Sequence, residues 1–327
     1  MSLPIPGPLG DAGAPSPARL MAPPLIAAAG ERAERRFFEF FTANIRNPNT
    51  RRAYGRAVAD FCAWCDDHGV ALQQIEPILV ATYVESIMRR LSPPSVKLHL
   101  AAIRMLFDWL VTGQIVAMNP AAAVRGPKHV VKRGKTPVLE AEDARALLDS
   151  LPLDSVAGLR DRALIGVMIY SFARVGAVCG MDVQDYYQIG KRTWFRLHEK
   201  GGKHHEVPAH HTAEDYVDAY LDAAGLTARD NRTPLFRTLD SRRRLTDRRL
   251  QPPEVLAMVK RRARLAGLPP ALSCHTFRAT GITAYLMNGG QLEHAREIAA
   301  HESPRTTMLY DRTGDAISLD EIERIVI

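Results

Sequence analysis

The chain has 327 residues, length for about two domains at ~150 residues each, with 43 Lys+Arg against 36 Asp+Glu for a net charge of +7. Hydrophobic residues make up 46% and charged residues 24%, globular values that exclude a wholly disordered or collagen-like chain. The long apolar run Ala163–Ala173 is interrupted by Ser171 and too short for a bilayer, Arg19 precedes only the short apolar stretch Leu25–Ala29, and there are four Cys, so no secretory leader or disulfide scaffold is expected, no membrane partner, and a reducing cytoplasmic setting.

Residues 1–30 are rich in Pro, Ala and Gly and read as a flexible tail without a packed core. Residues 31–125 read as an all-helical domain. From Thr50, taken as the cap, Tyr54, Val58, Phe61, Cys62 and Cys65 recur on one helical face, and Gly69 lies past the end. A second helix spans roughly 76–91, between Pro77 and Pro93-Pro94. A third starts near Ser95 and carries Val96, Leu98, Leu100, Ile103, Leu106, Phe107 and Leu110; Asn119-Pro120 stops the region. Cys62-Ala-Trp-Cys65 has C-x-x-C spacing, but with no second pair and no βαβ context it reads as core packing.

Residues 126–136 form a basic linker, with four Lys/Arg and no acid from Gly126 to Lys135. A second domain, 137–310, opens with a short helix around Ala144, Leu147 and Leu148, followed by a strongly apolar, central helix over Arg160–Tyr170. Trp194–Leu197 and Glu206–Pro208 flank Lys200-Gly201-Gly202-Lys203 as a hairpin. Helices resume after about Glu214 and after Pro252-Pro253. The fold class is mainly α with a small β-hairpin or sheet. From Arg237 to Arg264 ten Lys/Arg face Asp240, Asp247 and Glu254, a local +7 that suits a polyanion such as the DNA backbone. The bland reading of Arg242–Arg249 is a solvated, disordered basic loop. His198, His204, His205, His210 and His211 crowd the hairpin; with no acid or Cys cluster to complete a set they read as polar positions, and no metal or cofactor is expected.

Four features of the second domain carry chemistry: Arg174 at the close of the apolar helix, Lys200 at the hairpin tip, His275-Thr-Phe-Arg278 with two polar groups on one helical face, and His301 nine residues before Tyr310. Each alone is weak, since an Arg at a helix end is usually an ion-pair partner and a Tyr after two Thr usually packs. Together, two Arg, two His, one Lys and one Tyr are what a metal-free phosphodiester transfer requires. The order Arg174, Lys200, His275-x-x-Arg278, His301, Tyr310 resembles the tyrosine recombinase, or phage-type integrase, family. So does the neighbouring text: Arg160-Asp-Arg-Ala163-Leu, the Lys-Gly-Gly-Lys turn before Val207-Pro208, and Ala299-Ala300-His301 leading to Thr306-Thr307-Met-Leu-Tyr310. Residues 31–125 resemble the family's helical core-binding domain. Three positions depart from the family's habit: Ala177 stands where an acidic residue commonly follows the first Arg by three, Ala300 stands for the usual Gly, and Ala-Thr280-Gly281 follows Arg278.

The resemblance implies a site-specific recombinase of DNA integration and recombination, with 137–310 the catalytic domain and Tyr310 the nucleophile forming a 3′-phosphotyrosine. Arg174 and Arg278 would clamp the phosphate, His275 would orient or accept the proton, His301 would hydrogen-bond the phosphate, and Lys200, with Lys203 the fallback, would be the general acid. The implied partner is double-stranded DNA held by a homotetramer in the synaptic complex, with room for accessory DNA-bending proteins and a place on a mobile element. In the tail, 311–327, Ser318 and Glu321 make a capping box ahead of an apolar face of Leu319, Ile322, Ile325 and Val326, which would dock on a neighbouring protomer. The rivals are a type IB topoisomerase that nicks and reseals without exchanging partners, and a non-catalytic DNA-binding regulator.

Overall fold

Many helices in this chain, among them those beginning at Pro24, Pro48, Pro77, Pro93, Pro252 and Pro304, start on a proline, which removes an amide that a first turn would leave unpaired. The computed structural model describes residues 21–129, 134–199 and 204–312 and divides into two compact units, Met1–Val130 and Val131–Ile327.

The first unit is helical: α1 (Pro24–Ala27), α2 (Glu31–Glu39), a π-helical turn (Phe40–Asn44), α3 (Pro48–Asp67), α4 (Pro77–Met88) and α5 (Pro93–Thr112). The expectation of an unpacked tail over residues 1–30 is corrected for its last part. Leu25 and Ile26 are buried in the same core as Phe61, Phe107 and Leu110, because a Pro-started turn lets two adjacent apolar side chains reach it. The cap of α3 is Asn47, not Thr50: its side-chain oxygen accepts from the amides of Asn49 (2.9 Å) and Thr50 (3.2 Å), with Pro48 next in the first turn. Leu98 is exposed, since it sits two residues from both Val96 and Leu100 and falls off their stripe. Asn119 ends the unit by donating to the Arg104 carbonyl (3.0 Å) and accepting from the Ala121 amide (2.8 Å). Cys62 and Cys65 are free thiols in the core, pushed up to about 12 by burial, which removes the thiolate that redox or metal chemistry needs.

The second unit is built on α7 (Val156–Tyr170), which follows α6 (Ala141–Asp149) and is buried on nearly every side, the signature of a central helix. α8 (Val175–Gly180) leads to an antiparallel sheet ordered β1 (Tyr186–Ile189), β2 (Arg192–His198), β3 (His204–Pro208), with Phe195 opposite Val207. β1 extends the expected hairpin by one strand. Next come α9 (His211–Ala224), a hairpin of β4 (Arg237–Leu239) and β5 (Leu245–Arg249), α10 (Pro252–Leu265), α11 (Cys274–Met287), α12 (Leu292–Ile298) and α13 (Pro304–Met308). The reading of Arg242–Arg249 as a disordered loop therefore gives way to a hairpin with Arg242 and Arg243 exposed. Part of the local charge is structural. Arg237 donates to the Pro234 carbonyl and Asp247, Arg249 to the carbonyls of Cys179 and Met181, and Arg262 to the buried Asp161.

A satellite core of Phe172, Ala279, Ile282, Leu286, Ala295, Ala299 and Tyr310 lies apart from the main one. Among the described residues no helix is long and apolar enough to cross a membrane. Residues 200–203 and the capping box and apolar face read at 318–326 lie outside the described residues.

Candidate active site

α11 brings His275, in its first turn, and Arg278, one turn on, to the same side. It crosses α7 closely enough that a Cβ on Gly281 would lie 2.0 Å from the Ile169 carbonyl oxygen. Arg278 is buried, and its guanidinium donates to the carbonyls of Phe172 and Ala299. Phe172 is the left-handed residue after α7 (φ +53°), and Ala300 the one after α12 (φ +48°). Both stand where helices commonly end in Gly, and each side chain costs about 1 kcal/mol there. The usual Gly at position 300 thus has a backbone cause. Arg278 Nε is buried with no hydrogen-bond partner among the described residues. Against burial and the repulsion of Arg174, the Glu199 carboxylate and the Tyr310 side chain favour its charged form.

Tyr310 follows α13 with its ring in the satellite core and its hydroxyl 2.8 Å from His275 Nε2. Its carbonyl accepts from the Thr283 hydroxyl (3.0 Å), and the preceding carbonyl, of Leu309, accepts from the Gly134 amide (3.1 Å). Arg312 closes the loop by donating to the Gly134 carbonyl (3.2 Å). The Tyr310 ring lies nearly parallel to His301, 5.9 Å between centroids. His301 is buried, and its Nδ1 is hydrogen-bonded to Thr307 Oγ1 at 2.9 Å.

His275 is exposed, while Arg174, which precedes α8, is half-buried. Its guanidinium donates to Glu199 at 2.6 Å. Burial lowers Arg278 to about 10, aided by repulsion from Arg174. Burial and the same two guanidiniums push His301 down to about 3 and hold His275 below its ordinary value, so both rings are neutral at pH 7. Burial raises Tyr310 above its ordinary value, and the pull of Arg278 and Arg174 only partly offsets it. Of the two guanidiniums, Arg278 is buried and Arg174 half-buried.

Five of the six expected residues, Arg174, His275, Arg278, His301 and Tyr310, therefore converge; Lys200 and its fallback Lys203 lie outside the described residues. The hairpin histidines hydrogen-bond to separate partners, His198 to Asp185, His205 to the Ile298 carbonyl and His210 to the Thr212 amide, while the His198 and His204 rings meet edge to face and the His210 and His211 rings stack. No group of three His, Cys, Asp or Glu positioned for a metal occurs among the described residues. The sequence reasoning missed Glu199, Thr307 and Thr283. Only Glu199 had a readable signal, as a carboxylate in phase with the inward positions of β2.

The profile of the phage integrase family matches residues 137–316, and that of the phage integrase N-terminal SAM-like domain matches residues 35–114. The chain belongs to the phage integrase family. It is a tyrosine-type site-specific recombinase of the kind that integrates and recombines DNA. Tyrosine recombinase XerC of Salmonella typhi is 28% identical over 269 residues, covering 81% of this chain and 85% of the relative. XerC of Pelobacter propionicus is 29% identical over 297 residues, covering 89% and 92%. The fold is shared with XerH recombinase in a post-cleavage complex on palindromic difH, with a TM-score of 0.67 at 18% identity over 84% of this chain and 79% of that one. A lambda integrase dimer bound to a COC′ core site gives 0.64 at 17% identity, over 87% and 77%.

Proposed function

We propose that this phage integrase family member cuts and rejoins duplex DNA with Tyr310 as the nucleophile and Arg174, Lys200, His275, Arg278 and His301 as the groups that assist it. The phenolic oxygen forms a bond to phosphorus while the bond from phosphorus to the 5′-oxygen breaks. The products are a 3′-phosphotyrosine and a free 5′-hydroxyl, and the bond energy is kept for rejoining. His275 accepts the phenolic proton: its neutral Nε2, already 2.8 Å from the hydroxyl, is within reach of the proton it must take. Arg174 and Arg278 stabilise the charge that develops on the non-bridging oxygens, a contribution on the order of 3–4 kcal/mol per donor. Neutral His301, with Nδ1 engaged by Thr307, presents Nε2–H to the phosphate. Lys200 supplies the proton to the departing 5′-oxygen.

The single observation that carries this reading is the Tyr310 hydroxyl on His275 beside the buried Arg278 guanidinium. The basic turn at Arg242 and Arg243 supports contact with the DNA backbone. The assembly we propose is a homotetramer that pairs two duplexes and exchanges strands two at a time, with accessory DNA-bending proteins setting direction where the element is mobile. Footprinting on DNA flanking the gene identifies the site, and a nicked suicide duplex carrying it then tests the chemistry. Wild type gives a covalent protein–DNA band on a denaturing gel and Tyr310→Phe gives none. A Tyr310→Phe protein that keeps the band removes Tyr310 as nucleophile; supercoil relaxation with no recombinant product would turn the reading toward a topoisomerase.

A further inference from the structure

Along β2 the inward positions are Thr193, Phe195 and Leu197, all buried, and the two-residue period continues past the strand's end to Glu199. A carboxylate in that phase leaves water and needs a cationic partner. It has one: Glu199 Oε2 lies 2.6 Å from Arg174 NH1, with the carboxylate side chain 7% exposed and the guanidinium 42%. The ion pair is asymmetric, anchored on the buried strand side and open on the arginine side. One edge of the guanidinium is held while the remaining donors stay accessible to an anion.

Position 177, one turn into α8 from Arg174, holds a buried Ala and supplies no charge of its own. The carboxylate comes instead from the strand that leads directly to Lys200. Glu199 also acts on the second guanidinium. Arg278 is repelled by Arg174 and supported by Glu199, so one buried negative charge allows two like charges to share a hollow before any phosphate arrives.

We infer that Glu199 is a positioning residue for Arg174, fixing the orientation in which that guanidinium meets the scissile phosphate. The inference rests on the recombinase reading above. Because an anion beside DNA repels it, electrostatics alone predict that removing Glu199 tightens binding. A positioning role predicts the opposite sign for the chemistry.

The test uses the full-length chain on the nicked suicide duplex, at saturating DNA, with Glu199→Gln as the near-isosteric variant and Glu199→Asp as the conservative one. Single-turnover formation of the covalent band should slow about ten- to hundredfold in Glu199→Gln, as misplaced catalytic groups do. Binding of the same duplex, read by fluorescence anisotropy, should stay equal or tighten, and Glu199→Asp should recover part of the rate. Ala177→Glu added to Glu199→Gln, which puts a carboxylate back from the helix side, should recover rate as well. Unchanged cleavage in Glu199→Gln overturns the inference, as does loss of binding in step with cleavage, which would mark a folding defect. A wild-type chain that forms no covalent band overturns the recombinase chemistry and this inference with it, whereas a variant that matches an active wild type overturns the inference alone.

Discussion

Burial and two guanidiniums act on Tyr310 in opposite directions, and in the DNA-free chain burial is the stronger. Burial and the same two guanidiniums hold His275 and His301 below the ordinary histidine value, which suits the proton-taking and phosphate-donating roles proposed for them. For His301 the consequence for stability has a definite sign. Its folded value, about 3, lies below its ordinary value of 6.5, so between those two pH values the unfolded chain binds a proton that the folded chain refuses. Stability falls as pH falls through that window and is fully kept above it. Melting temperatures of wild type and His301→Asn taken from pH 7 to pH 4 should therefore converge as the pH drops. Parallel curves would remove His301 as a buried neutral ring. At this scale the sequence was informative through order and combination: Arg174, His275, Arg278, His301 and Tyr310, each weak alone, stood out together because their order resembles that of the family. Glu199 and Thr307 did not, because an acid beside a turn and a Thr beside a Thr are ordinary, and only their burial against Arg174 and His301 makes them part of the site.

The element that carries most of the site is α11, and its placement depends on one close approach to α7. Gly281 faces the Ile169 carbonyl with no room for a methyl group, and the Phe172 ring edge is 2.9 Å from where that methyl would sit. Gly281→Ala should cost about 2 kcal/mol by forcing the helices apart, a fall of roughly 4–8 °C in melting temperature for a unit of this size. It should also slow cleavage by moving Arg278 relative to the Phe172 carbonyl; a calorimetric scan and the suicide assay read the two effects separately. Sequence periodicity located the long helices well, since α3, α5 and α7 declare themselves by stripe or by unbroken apolarity. Three features escaped it. The cap at Asn47 was hidden by a second good capping residue three positions on. The exposed Leu98 shows that an apolar residue off the stripe is not core. The β4–β5 hairpin was masked by its arginines, several of which are there to satisfy carbonyls.

For the whole molecule, the charge that suggested a polyanion is split between structure and surface: Arg237, Arg249 and Arg262 are occupied internally, while Arg242 and Arg243 remain in water. The net +7 of the chain is thus a weaker guide to where DNA lies than the local exposure of individual guanidiniums. One arrangement links the chain's larger organisation to its reactive centre. Gly134, near the end of the basic linker, bonds through its amide to Leu309 and through its carbonyl to Arg312. A Cβ there would come within 2.5 Å of the Leu309 carbonyl oxygen. Gly134→Ala should slow formation of the covalent band severalfold while leaving duplex affinity unchanged, a pairing that anisotropy and the denaturing gel resolve. Tyr310 is consequently bracketed, one residue to its front and two to its rear, by two hydrogen bonds to a single glycine, so what disturbs Gly134 reaches the phenol through its own backbone.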